Sequence, residues 1–180
     1  HHTTFFINSL AHIWGSQPFT DRNSARDNGI LAFFTFGEGY HNFHHLFEND
    51  YRNGIRWWQF DPTKWLIRIA AWCGLARDLR SCPEERIEQA RLEMQLKRAQ
   101  ARLRKAEDRE LWQALLQEEY DKLSLQIQHY YANRKQLLEQ RKRKALARYD
   151  RLKLQLEYRN LRDGFLVAKR NWSRLLAGIA

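Results

Sequence analysis

Gly37-Glu38-Gly39-Tyr40-His41-Asn42-Phe43-His44-His45 decides how this chain is read. Three histidines fall at i, i+3 and i+4, positions that share one face of an α-helix. Three imidazoles on one face, with no thiol nearby in sequence, make a borderline-soft nitrogen site suited to iron, zinc, copper or nickel. The plain alternative is a chance cluster on a solvated helix. Against it, six of the seven histidines lie in the first 45 residues.

Upstream, Asn8-Ser9-Leu10-Ala11-His12 sets an amide and an imidazole at i and i+4, again on one helical face. His12 is a candidate fourth nitrogen ligand. Asn8 is too weak a ligand to bind strongly by itself, but it suits a metal-bound water or the orientation of an imidazole. Taken alone, a histidine in an apolar helix is more often a satisfied core residue.

The chain has 180 residues and a formal net charge of +10. Residues 1–83 hold 8 Lys/Arg and 7 Asp/Glu, whereas 84–180 hold 23 and 14. The first part is aromatic and rich in His, Gly and Asn. The second is mostly Arg, Lys, Glu, Gln, Leu and Ala, the composition of long helices. Cys73 and Cys82 have neither metal-knuckle spacing nor the numbers for a disulfide framework, so reduced thiols are expected. The only methionine is Met94 and no signal peptide is visible, so the chain reads as a C-terminal piece of a longer protein. No run of 18 apolar residues occurs, so no complete spanning helix is expected here.

Residues 3–14 read as a helix broken by Gly15, Pro18 and a polar run. Asp27 or Asn28 is a cap for a second helix that carries Ile30–Phe36 and runs on toward the histidines. Gly37 and Gly39 would each cost that helix about 1 kcal/mol relative to Ala, which suggests close approach by a backbone or a ligand. Asp61-Pro62 is a helix start, giving a helix over 62–76. The tryptophans around it read equally as anchors at lipid headgroups or as a buried aromatic core.

Beyond Pro83, Leu92, Leu96, Ala99, Leu103 and Ala106 alternate steps of four and three. Leu116, Tyr120, Leu123, Ile127 and Tyr130 do much the same, and Ala145, Tyr149, Leu152 and Leu156 resume the pattern. These are coiled-coil seams, with a slip or turn expected near Asp108–Glu110 or Tyr131–Asn133. A hairpin folding on itself or a homodimeric coil would bury them. Arg141-Lys142-Arg143-Lys144 is a basic cluster without a base-stacking platform. It reads as a solvated helix face ahead of a lipid or nucleic-acid patch, and no nucleic-acid partner is expected.

NSLAH, GEGYHNFHH and DYRNGIRWWQFDPTKW (residues 50–65) together closely resemble the C-terminal part of acyl-CoA, Δ9-type fatty acid desaturases, most of all the bacterial members. The resemblance covers about residues 1–80. It implies an all-α fold: cytosolic cap helices of a membrane histidine-box enzyme, followed here by a long helical coiled-coil hairpin. Residues 1–82 would belong to the catalytic domain and 83–180 to a basic extension. The family is a di-iron, oxygen-dependent group whose irons are held by nine histidines. By resemblance His12, His41, His44 and His45 are ligands, and Asn8 acts through water. The HxxxxH and HxxHH boxes that would supply the other ligands do not occur in this sequence, and His1 and His2 match neither. Four ligands cannot hold two irons, so this segment alone is expected to be inactive.

The resemblance further implies an acyl-CoA or other acyl substrate, dioxygen, and an electron donor such as a cytochrome b5-like protein, ferredoxin or rubredoxin. It implies a bacterial inner-membrane location with this segment facing the cytoplasm. Self-association through the coil is a further expectation. Two other readings compete: a related membrane di-iron hydroxylase, and a non-enzymatic coiled-coil adaptor with a structural metal site.

Overall fold

The computed structural model describes residues 9–103, 108–142 and 148–179. Helix α1 is described over residues 9–13. It is followed by α2 (Gly29–Phe34), α3 (His41–Leu46), α4 (Pro62–Trp72), α5 (Glu84–Arg102), α6 (Arg109–Lys142) and α7 (Arg148–Gly178). Among the described residues the strand-like pairings are isolated bridges, Ser16 with Asp27 and Asp27 with Tyr40, so the all-α expectation holds. The chain divides into two compact units, His1–Met94 and Gln95–Ala180.

In the first unit, Asn28 caps α2 by accepting the amide hydrogens of Ile30 and Leu31 at 2.9 and 3.1 Å. The helix does not run on to the histidines as expected. Phe36 and Gly37 take φ of 55° and 107°, left-handed values that end it. Gly39 then crosses α2 so closely that a Cβ there would sit 2.1 Å from the Ala32 nitrogen. The close approach expected of these glycines is therefore made by backbone at Gly39, whose carbonyl accepts from Asn28 N at 2.8 Å. The histidines occupy their own short helix, α3.

Pro62 opens α4, and Asp61 caps it through the Lys64 amide at 2.9 Å. The helix stops at Trp72 rather than at residue 76, because Gly74 takes φ of 75° and the amides of Gly74 and Leu75 turn back to the carbonyls of Ala71 and Ala70. The buried-core reading of the tryptophans is overturned: Trp57 is 85% exposed and Trp72 88%, and Trp14, Trp58 and Trp65 are also exposed. The core of this unit is phenylalanine instead. Phe19, Phe43 and Phe47 pack together with Ile87 from the start of α5, and the Arg91 guanidinium lies 4.9 Å above the Phe19 ring.

In the second unit α6 and α7 pack against each other. Leu116, Leu123 and Ile127 are buried, as the spacing predicted, and Leu137 joins them. The α7 seam is in a different register from the expected one. Leu152 and Leu156 are each 58% exposed, while Phe165 and Trp172, seven apart, are buried. Tyr158 shares that stripe: its hydroxyl lies 3.1 Å from that of Tyr130, whose ring stacks on Phe165 at 5.1 Å. The stripe wins because it gathers the larger aromatic rings, which bury more apolar area than leucines. Ala145 lies outside the described residues, as do the side chains of Tyr149 and of the basic cluster at 141–144. Helix α6 runs unbroken through Tyr131–Asn133; α5 ends at Arg102 and α6 opens at Arg109, within the other expected stretch, Asp108–Glu110.

Candidate metal centre

Helix α3 has no side-chain cap of its own at Tyr40. Its first turn is held from outside. Asp27 Oδ1 accepts the Phe43 amide hydrogen at 3.1 Å. Asn42, fully buried between His41 and Phe43, accepts from the amides of Phe19 and Thr20 and donates to the carbonyls of Thr20 and Ala25. One side chain thus fastens α3 to the loop that follows α1. The same loop delivers Ser24, whose hydroxyl lies 2.8 Å from His12 Nδ1. That bond fixes the ring and leaves Nε2 turned toward α3.

The convergence is direct. His12 Nε2 lies 3.2 Å from His41 Nε2, and His45 Nε2 lies 3.0 Å from the same atom. One nitrogen from each of His12, His41 and His45 falls within 4.8 Å of the others. A metal about 2.1 Å from each of two imidazole nitrogens, at an angle of about 90–110°, sets those nitrogens about 3.0–3.4 Å apart. The residues present therefore fit a metal ion. His41 Nδ1 is buried with no hydrogen-bond partner among the described residues, so neither ring nitrogen of His41 is committed to a protein group outside the cluster.

The electrostatics agree with a ligand role. Burial pulls the His41 imidazole down to about 4, helped by the neighbouring rings of His45, His12 and His44. Burial likewise lowers His45, with His44 and His12 adding to it. Both rings are neutral at neutral pH, the state that offers a lone pair. Asp27 behaves oppositely. Burial raises its carboxyl to about 6, against the lowering effect of the Phe43 and Asn42 amides and of Arg91.

Of the residues singled out in sequence, His12, His41 and His45 come together. His44 stands to one side, its ring centroid 6.5 Å from that of His41 and 6.0 Å from that of His45. Asn8, His1 and His2 lie outside the described residues. Asn42 and Ser24 were not singled out, and Asp27 was read as a possible cap of α2, not as the acceptor it is for α3. Asn42 sits inside the histidine motif, and that placement was the one available signal.

Comparison with known proteins gives this geometry its context. Residues 1–71 match the fatty acid desaturase family. The chain is 58% identical over 88 residues to a probable acyl-CoA desaturase of Schizosaccharomyces pombe, covering 49% of this chain and 18% of that protein. It is 55% identical over 95 residues to acyl-CoA desaturase 1 of Saccharomyces cerevisiae, covering 53% of this chain and 19% of that protein. Against the Delta-9 desaturase-like 5 protein of Arabidopsis thaliana it is 44% identical over 80 residues, covering 44% of this chain and 27% of that protein. The chain thus spans under a third of the length of these desaturase relatives, which come from two yeasts and a plant and lend no support to the expected leaning toward bacterial members.

Proposed function

We propose that this chain is the histidine-bearing C-terminal segment of an oxygen-dependent acyl-CoA desaturase, acting at Δ9 of a saturated acyl chain. The observation that carries the reading is the meeting of His12, His41 and His45, in a segment matched to the desaturase family. His12, His41 and His45 would hold iron, with His44 directed to a second iron and Asn8 acting through water. When bound, iron supplies the redox chemistry with dioxygen that zinc cannot, removing two hydrogens from an unactivated methylene pair.

The chain's own part is to bind and to orient. Ser24 sets the His12 ring. Asn42 and Asp27 hold α3 so that His41 and His45 stay aligned. Burial keeps His41 neutral, so it binds without first shedding a proton. Residues 1–82 would contribute to the catalytic domain of a longer membrane-embedded parent protein, with this segment on its cytoplasmic side. Upstream boxes would supply the remaining ligands, and the segment alone would not turn over. Residues 83–180 would form a basic coiled-coil hairpin, able to self-associate or to offer an acidic electron donor a complementary surface.

The test has two arms. Substituting His45→Ala in the 180-residue chain should weaken Co(II) binding, followed spectroscopically, by at least about tenfold. The same change in the full-length protein should abolish new double bonds in cellular fatty acids. A hydroxylated product would favour the related oxygenase, and unchanged lipid composition the adaptor.

A further inference from the structure

Helix α7 carries two seams. The one used within the hairpin is aromatic, with Phe165 and Trp172 buried. The other is the leucine stripe that the spacing predicted, and it faces outward. Leu152 and Leu156 are each 58% exposed, and Leu166 is 46% exposed. At 3.6 residues per turn, Leu152 stands about 140–160° round the helix from Phe165 and Trp172. Folding of the hairpin covers one face of α7 and leaves the opposite face bare among the described residues.

The outer stripe runs Leu152, Leu156, Arg159, Asp163, Leu166 and Arg170, all exposed, in alternating steps of four and three. That is a coiled-coil period sustained over about 27 Å. Turned end for end about the level of Leu161, the stripe falls on itself. Leu156 then meets Leu166, Arg159 meets Asp163, and Leu152 meets the aliphatic stem of Arg170. The charges are available for such a match. Asp163 touches only Arg162 of its own helix, at 3.2 Å, and Arg159 has no ion pair among the described residues. Other arrangements are penalised. A parallel pair sets Arg159 on Arg159 and Asp163 on Asp163, and a one-heptad slip faces Arg159 with Arg170 or with Leu156. An acidic protein would meet Asp163, and a bilayer would have to bury it. A second copy answers both signs.

We propose that α7 pairs with α7 of a second copy through this outer stripe, antiparallel and two-fold symmetric about the level of Leu161. This gives the self-association of the basic hairpin a surface, a direction and a register, and it rests on α7 alone, independently of iron. The 180-residue chain is followed by sedimentation equilibrium in chelator at low salt. Wild type should exchange between the 21.8 kDa monomer and its dimer. Arg159→Glu sets a second carboxylate against Asp163 of the other copy and should weaken the dimer at least about tenfold, as should Asp163→Arg. Mixing the two variants should restore association, because each charge then finds its opposite across the axis. Both positions are exposed, so circular dichroism should stay unchanged. Leu156→Gln with Leu166→Gln should also remove the dimer. At high dilution the pair comes apart, and there the loss of a stripe leucine leaves the stability of the hairpin itself unchanged.

Wild-type protein that stays monomeric at high concentration would overturn the proposal. So would charge variants that dimerise as well as wild type, or a mixture of the two that fails to recover. A monomeric chain that binds anionic vesicles through Leu156 and Leu166 would give the face to lipid and overturn it equally. Co(II) binding should be the same in every one of these variants, so failure here would leave the metal reading standing.

Discussion

Asp27 Oδ1 accepts the amide hydrogen of Phe43 at 3.1 Å, so the first turn of the histidine helix is capped by a residue sixteen positions upstream. The connection ties the histidine-bearing helix α3 to the loop after α1. Asp27→Ala should therefore destabilise the first unit by about 1–2 kcal/mol, the usual loss on removing a cap, and weaken Co(II) binding in parallel. Urea denaturation and metal titration on the same protein read both effects.

The raised carboxyl of Asp27 gives a pH signature. With a folded value of about 6 against an ordinary 3.8, the folded state holds this proton more firmly than the unfolded chain. Its contribution is fully present below about pH 4 and is lost as pH rises through about 6. Asp27→Asn should remove that slope. The measurement is the difference in denaturation midpoint between wild type and variant in chelator across this window, where the histidines common to both cancel.

Ser24 is exposed, and its hydroxyl orients His12 from 2.8 Å away. Ser24→Ala should leave the denaturation midpoint within about 0.5 kcal/mol of wild type, yet lower metal affinity about tenfold or more. Loss of stability with unchanged affinity would identify the hydroxyl as a fold element only.

Asn42 is fully buried and makes four hydrogen bonds to main-chain groups at Phe19, Thr20 and Ala25. Asn42→Ala leaves all of them unpaired, a loss of about 3–5 kcal/mol. Hydrogen exchange should show faster amides at Phe19 and Thr20 even where the unit stays folded.

The register of α7 is testable by a pair of substitutions. Phe165→Ala removes a buried ring and should cost about 3–5 kcal/mol. Leu152→Ala, at an exposed position, should cost under about 0.5 kcal/mol. Comparable losses from both would restore the register expected from the leucine spacing.

The sequence revealed what is local. His41 and His45 are read together because one helical turn brings i and i+4 to one face, and Pro62 and Gly74 bound α4 by backbone chemistry written into those residue types. His12 joined the cluster through its motif, not through periodicity. The roles of Asp27 toward α3, of Asn42 and of Ser24 stayed hidden because their work is done across 12 to 23 residues of chain, where no spacing rule reaches. The α7 seam was misread because its leucines compete with an aromatic stripe two residues out of phase, and burial decided for the rings.

The main chain of Asp27 pairs with Ser16 on one side and Tyr40 on the other. His12 lies just before the first rung and His41 just after the second, so the histidines of two distant stretches are joined through the main chain of one residue. An ion bound there as proposed would meet a set already arranged by folding instead of having to assemble one. Lengthening the loop at the exposed Asp21–Arg22 tip, outside both rungs, should leave the bite of the cluster unchanged.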